Sequence, residues 1–449
     1  MTIQMLNSKA EQALLHMFDS NLGRFPGGQT VQDLRRSAIG AFASKGLPSR
    51  RQEEWKYTDL KSAFKEAHPL ALHLISSDRA SGQEKKSAAP SFLQERFQNN
   101  IISFLDGFAD ASIAARGSLL PKCAFFSKLS DEPPSWISAL LNDPILSHSS
   151  DLLLNTALFT DGAIIDVEKG GSAQVPYCIF SGARGHKNNI FSALRHFIRI
   201  GAGSKVSLIE FDITGQSNAN QSSHLSQVVV GDGADVTHIK IVFGRKDSIH
   251  LGHCQVRLGA NASYRPFHLM IGEGLIRSSL NLNFVGESAT FDFAGASVVK
   301  GSGHVDSTLV IDHKVPRCVS REHFKAVLDG ESKAVFQGKV IVRPDAQKTD
   351  GKQMAQALLL SPSAEFDSKP ELEIYADDVA CGHGSTCAEI DPDLLFYCMS
   401  RGIPQEVARS LLIESFVGEV IDKIQDQKLR DFVFETAKSS LGNADFRNE

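Results

Sequence analysis

The chain has 449 residues, room for about three ordinary domains or for one elongated repeat body with appendages. Hydrophobic residues make up 42% and charged residues 22%, which excludes a disordered or collagen-like chain. A net charge of −5 excludes a dedicated binder of nucleic acid or of acidic membranes, because a polyanion needs a basic face. Aromatic usage is skewed, with 28 Phe against 5 Tyr and 2 Trp, which suits buried ring packing better than base stacking. Met1 to Lys9 has no basic stretch followed by an apolar one, so no secretory signal is read. No run of 18 apolar residues exists, so no membrane-spanning helix is expected. The seven cysteines are odd in number, and only the last three cluster. They are expected as reduced thiols in the cytoplasm.

Taken in chain order, the first hundred residues read as helical. Ser8 to Leu22 carries Ala13, Leu14, Met17, Phe18 and Leu22 at helical spacing. Val31 to Lys45 repeats the pattern, Gly46 supplies a C-cap and Pro48 blocks continuation. The charged segment Arg50 to Thr58 reads as a solvated turn with one anchored residue, Trp55. Ser76 to Pro90 has loop composition, and Ser91 to Asn99 is expected to add a short helix.

From about Leu154 to Val379 the texture changes to period-two strands rich in β-branched and aromatic residues, such as Lys205–Phe211 and Val236–Phe243. A Gly-led turn recurs before them, at Gly201, Gly231, Gly259, Gly286 and Gly330; the first four lie 30, 28 and 27 residues apart. That loose period predicts a β-solenoid, with a Gly-punctuated β-sandwich as the alternative. After residue 390 helices return, with Asp391 as N-cap and Pro392 at the first helical position. A second helix carries an apolar stripe from Val407 through Leu411, Phe416 and Val420 to Ile424. The expected division is a helical region over 1–100, a connecting segment over 101–153, a β body over 154–389 and a helical domain over 390–449.

The common catalytic signatures are absent: there is no phosphate loop, no nucleophile elbow, no His-Glu-x-x-His and no Cys-x-x-Cys pair. One constellation stands apart, Cys381-Gly382-His383-Gly384, with Cys387 three residues on. In an extended strand Cys381 and His383 point to one face, and a thiolate beside an imidazole suits iron, zinc or Cu(I). Two ligands are too few for a closed site. Either Cys387 joins after a turn at Gly384, or a second chain completes the set. The plainer reading is a buried thiol beside a hydrogen-bonded histidine. The spacings among His304, His313, Cys318 and His323 fit no local metal motif, and these residues read as structural.

The runs Phe324–Gly338, Ala346–Asp350, Leu358–Ser361, Lys369–Gly384, Leu395–Tyr397 and Ser400–Ile403, in this order, resemble the SufB/SufD family of iron–sulfur cluster assembly proteins. Arg51 to Thr58 is similar to the segment typical of its SufD branch. The first cysteine here is Cys123, whereas SufB-type chains carry an N-terminal cysteine cluster. Gly382 stands where the family more often has Ser. The resemblance implies a right-handed parallel β-helix between two helical regions. It implies a scaffold and not an enzyme, working in a SufB–SufC–SufD complex in which SufC is the ATPase. Under it, Cys381 and His383 serve cluster assembly at the β-helix edge facing a SufB-like chain, with His383 the more important. Cys387 is a possible further thiol. The C-terminal helices, through Val407, Leu411, Phe416 and Val420, dock the SufC-like ATPase. The cluster is a transient cargo shared with the partner, no tightly bound cofactor is expected, and the isolated chain is open to homodimerisation. The alternative from another class is a β-helix polysaccharide lyase or hydrolase.

Overall fold

Strict alternation in the middle of the chain sends every second side chain to the same side, and stacking makes that side an interior. The computed structural model describes residues 8–71, 89–97, 100–110, 123–126, 133–183, 189–214 and 219–441. Its strands are β1 Ile101–Leu105, β2 Phe108–Ala109, β3 Cys123–Phe125, β4 Ala163–Val167, β5 Tyr177–Gly182, β6 Phe191–Ile200, β7 Lys205–Ile213, β8 Gln221–Val230, β9 Asp235–Gly244, β10 Ile249–Leu258, β11 Ser263–Gly272, β12 Leu275–Phe284, β13 Thr290–Val299, β14 His304–His313, β15 Val319–Leu328, β16 Lys333–Val342, β17 Asp350–Leu359, β18 Glu365–Ile374 and β19 Ala380–Glu389. Even-numbered strands from β4 to β18 form one parallel sheet, and odd-numbered strands from β5 to β19 form the other. The fold is therefore a parallel β-solenoid of two-stranded coils. β1 pairs in parallel with β5, so the β body begins inside the stretch expected as a connecting segment.

The coils stack in register. Gln221, Ile249, Leu275, His304, Lys333 and Glu365 share one rung. The recurring glycines are the corners. Gly231 donates to Ile200 O at 2.8 Å and Gly259 to Val230 O at 2.9 Å, so the corners form their own ladder. A Cβ on Gly286 would stand 2.0 Å from the Ala260 backbone nitrogen, so stacking leaves no room for a side chain there. The lumen is filled by inward residues of both sheets, among them Phe291, Phe293, Phe324, Phe336, Leu309 and Val340, all buried. Phe324 and Phe336 stack across it with ring centroids 5.1 Å apart.

Helices cover the two outer faces. Helices α1 (Lys9–Asn21), α2 (Gln29–Lys45), α3 (Leu60–Ala63), α5 (Ser135–Leu141) and α6 (Ser150–Leu158) share a core with Phe191, Phe197 and Ile249 of the even sheet. Ser8 caps α1 and Glu11 returns the bond to the Ser8 N–H, a complete capping box. Helix α4 (Ser91–Phe97) lies on the odd sheet and shares its core with the C-terminal helices α8 (Gln405–Ile421) and α9 (Gln427–Leu441), while α7 (Pro392–Ser400) packs on α8. Most of the loop expected at 76–90 lies outside the described residues.

The charged segment at Arg50–Thr58 is solvated at Arg50 to Glu54 and at Lys56, as expected, but it is anchored at Thr58 as well as at Trp55. Trp55 is buried, with the Arg277 guanidinium 4.0 Å from its ring centre. Thr58 Oγ1 meets His304 Nε2 at 2.9 Å and donates to Asp306, while Lys369 Nζ reaches Glu53 at 2.5 Å. The segment thus lies across four coils, touching β12, β14 and β18 directly and β16 through a bond from Gln337 to the Glu54 carbonyl.

Phe324→Ala removes one ring of the lumenal stack and leaves a cavity. It is expected to lower stability by about 3–5 kcal/mol in guanidinium unfolding, while Leu411→Ala, on the surface, stays within about 0.5 kcal/mol of wild type.

Candidate functional site

Both sheets end at the same level. β18 and β19 are the terminal strands, and no further strand pairs with either among the described residues. Their outer edges therefore carry backbone donors and acceptors with no ladder to join. The lumen opens there too, and burial falls from nearly complete in β15 and β16 to intermediate or exposed in β18 and β19.

Cys381 and His383 lie on β19 opposite Gly351 and Gln353 of β17. In β17, Ala355 and Ala357 belong to the lumenal core, so the matching phase of β19 turns Cys381, His383, Ser385 and Cys387 towards the lumen mouth. Cys381 is half-buried and packs on the last of that core, and His383 is exposed. The shared face expected from alternation is present. Of the two ways left open for completing the set, the turn at Gly384 is not present: β19 runs unbroken from Ala380 to Glu389. At roughly 3.3 Å per residue, Cys387 stands about 20 Å from Cys381 along the strand. Cys387 therefore cannot join Cys381 and His383 on one ion. A Cβ at Gly382 would meet nothing within 4 Å, so the serine common in the resembling family would fit there without change. Burial pushes the Cys381 thiol above its usual range, and the carboxylates of Asp350 and Glu322 push the same way. A metal ion there has to displace a proton.

A polar column leads inward from His383. Gln353 lies beneath it, and Glu322 lies beneath Gln353 in the next coil. Both are buried, and among the described residues neither Glu322 oxygen nor either Gln353 terminal atom has a well-formed hydrogen bond.

The C-terminal stripe divides. Val407 and Leu411 are 49% and 46% exposed. Val420 is fully buried against the odd sheet, and Phe416 is half-buried with the Lys325 ammonium 4.3 Å from its ring centre. Phe416 and Val420 thus hold α8 to the solenoid and do not face outward, because helical spacing puts them on the side occupied by Ile413, Val417 and Ile421. The outward apolar surface instead continues onto α7, through Leu394, Phe396, Tyr397 and Met399, with Phe396 72% exposed. The crowding of apolar residues at 394–399 was visible in the sequence; its outward direction was not.

The histidines at 304, 313 and 323 are each bonded separately, His313 to Ser320 at 3.1 Å and His323 to Gln356 at 3.1 Å. Sequence reasoning missed the polar contents of the lumen. Tyr264 Oη meets His238 Nδ1 at 2.7 Å, His238 Nε2 meets Glu210 at 3.1 Å, and Glu210 pairs with Lys240 at 3.3 Å. The available signal was phase: Glu210 and Asp212 continue the inward positions of Val206 and Leu208.

A parallel β-solenoid with an open terminal coil bearing a thiol and an imidazole describes a class of assembly platform. The chain matches the model described as "SUF system FeS cluster assembly, SufBD core domain" over residues 183–416, and the "SufBD protein N-terminal region" over residues 8–177. It belongs to the SufBD family. It is 28% identical to an iron–sulfur cluster assembly SufBD family protein of Synechocystis sp., covering 87% of this chain and 86% of that one. It is 27% identical to the iron–sulfur cluster assembly protein SufD of Escherichia coli, covering 95% and 96%. It is 30% identical to protein ABCI7, chloroplastic, of Arabidopsis thaliana, covering 89% and 84%. Proteins of this family are cluster assembly proteins, and this displaces the polysaccharide lyase alternative. Among the described residues no helix is long and apolar enough to cross a membrane.

Burial pushes the Glu322 carboxyl up to about 8 from its ordinary 4.5, against weaker opposing help from Ser320, Arg321 and Gln353. Between those pH values the folded chain holds a proton that the unfolded chain has lost. Its stabilising contribution is full below about 4.5 and is lost as the pH rises through about 8. Glu322→Gln keeps the shape without the charge. Its unfolding midpoint is expected to match wild type near the acid end of this window and to exceed it increasingly towards the alkaline end. Parallel midpoint-against-pH curves for the two proteins would refute this.

Proposed function

We propose that the chain is a non-catalytic scaffold subunit of the SUF machinery, which holds a nascent iron–sulfur cluster as cargo between its terminal coil and a homologous SufB-like chain. The observation that carries this is the coincidence, in one coil, of two free strand edges, an open lumen and the pair Cys381 and His383. An extended partner strand can add to such an edge, supplying backbone bonds and bringing its own ligands. Two donors on one strand are insufficient for a closed iron site, and the partner supplies the remainder. The raised thiol of Cys381 favours His383 as the residue that engages iron first, since a neutral imidazole needs no deprotonation.

The same reading assigns the apolar surface of α7 and α8 to an ABC-type ATPase partner. Leu394, Phe396, Val407 and Leu411 expose large apolar side chains while the opposite side of α8 is anchored on β13 and β15. The chain itself lacks a phosphate loop, so the power stroke belongs to that partner.

Three outcomes are expected. Co-expressed with its SufB-like and ATPase partners, the His383→Ala chain should assemble with normal stoichiometry but carry several-fold less iron and acid-labile sulfide per complex, with Cys381→Ala shifted the same way. Wild-type cluster content in that His383→Ala complex would return the histidine to a structural role. Phe396→Asp should weaken ATPase binding by about 2 kcal/mol or more in calorimetric titration, as a central apolar anchor does, whereas Val420→Asp should instead impair folding. Lastly, the purified chain alone should show no ATP turnover; hydrolysis that persists through removal of every other protein would contradict its assignment as a scaffold.

A further inference from the structure

Near the N-terminal end of the solenoid the lumen holds a second group of metal-type donors, far along the coil stack from β19. Asp212 on β7, His224 on β8 and His250 on β10 occupy inward positions of three strands. One donor atom from each lies within 4.8 Å of the others, and all three residues are buried. His224 Nδ1 is 3.1 Å from Asp212 Oδ1, and His250 Nε2 is 3.9 Å from Asp212 Oδ2.

Three buried atoms of these residues, Asp212 Oδ2, His224 Nε2 and His250 Nε2, have no hydrogen-bond partner among the described residues, and the first and last of them face each other across the group. His250 is oriented from behind, its Nδ1 lying 2.9 Å from Ser222 Oγ. When Nδ1–H donates to that hydroxyl, the Nε2 lone pair faces a carboxylate oxygen. Two electron-rich atoms in a dry interior call for a cation between them. The neighbouring ammonium of Lys240 is 3.3 Å from Glu210, and its charge is shared between that carboxylate and Asp212.

We propose that Asp212, His224 and His250 bind a divalent first-row transition ion of the Fe(II), Co(II) or Zn(II) kind. Two imidazoles and one carboxylate are a donor set for such ions and leave coordination positions open. The nitrogen content disfavours Mg²⁺ and Ca²⁺, which take oxygen ligands. Metal–ligand bonds of about 2.0–2.2 Å place neighbouring donors roughly 3.2–3.5 Å apart, so the present spacings close on an ion with shifts of about 1 Å or less. A small void bordered by the three residues together with Phe104, Thr214 and Asn220 has room for about one water-sized species. The ion would tie three strands from successive coils. This site does not rest on the cluster-scaffold reading, since none of its residues belongs to the terminal coil.

The test is anaerobic Co(II) binding to the full chain after chelation and desalting, followed by equilibrium dialysis and by the visible bands of Co(II) bound to nitrogen and oxygen donors. Wild type and a Cys381→Ala/His383→Ala double variant should each bind about one ion. Asp212→Asn and His250→Gln should bind at least about tenfold more weakly. Thermal unfolding of wild type should shift upward with Zn(II), and this shift should shrink in Asp212→Asn. If a ligand variant does not fold, Ser222→Ala, which only frees the His250 ring, should still weaken binding. Absence of Co(II) binding and of the Zn(II) shift in wild type would overturn the proposal, as would equal affinity in folded ligand variants. So would loss of the ion in the terminal-coil variant alone.

Discussion

The parallel ladder is the interaction on which the rest of the molecule depends. Each strand from β8 to β17 pairs with a strand of the coil before and of the coil after along most of its length, and so satisfies nearly all its backbone donors and acceptors. The same rule fixes where pairing must fail. A stack that does not close into a ring has two ends. The N-terminal end is narrowed by β1, β2 and β3, which pair with β5, with one another and with β4. The C-terminal end has no such cover among the described residues. The candidate site sits where the ladder stops, and its chemistry follows from that position: side chains that would be enclosed one coil earlier are open in β19.

Much of this was legible because solenoids write their geometry into simple periods. Alternation identified the strands, the Gly-led corners gave the coil length, and Cys381 and His383 were placed on one face by strand phase alone. What could not be read depended on contacts between distant coils. A turn at Gly384, one of the two alternatives, does not form because β17 offers a full-length ladder, and pairing along Asp350–Leu359 keeps β19 straight through both glycines. The anchoring of Arg50–Thr58 could not be read because its partners are distant: Arg277 meets the Trp55 ring, Asp306 the Thr58 hydroxyl and Lys369 the Glu53 carboxylate, all from coils hundreds of residues away. Phe416 and Val420 shared a stripe with Val407 and Leu411, and only docking on β13 and β15 decides which members of a wide stripe face inward.

The lumen shows how a repeat fold tolerates charge. In its middle coils aromatic rings and aliphatic side chains fill most of the space, and Gln353 and Glu322 enter it in the C-terminal coils. In the earlier coils Glu210, Lys240 and His238 are enclosed as a bonded set. Ions removed from water are costly unless partnered, and stacking supplies partners at fixed separation on neighbouring strands. Glu322 lacks that compensation, which is why its carboxyl stays protonated far above the ordinary range.

The strap at Glu53–Thr58 carries a kinetic consequence. Its contacts reach to Asp306, 248 positions from Thr58, and to Lys369, 316 positions from Glu53. During synthesis the strap is made long before the coils it lies across. Its ties to Asp306 and Lys369 therefore form only after β14 and β18 have been made, and loop closure over such spans comes late. The strap then records completion: it can seat only on a chain whose coils have already stacked in the correct register.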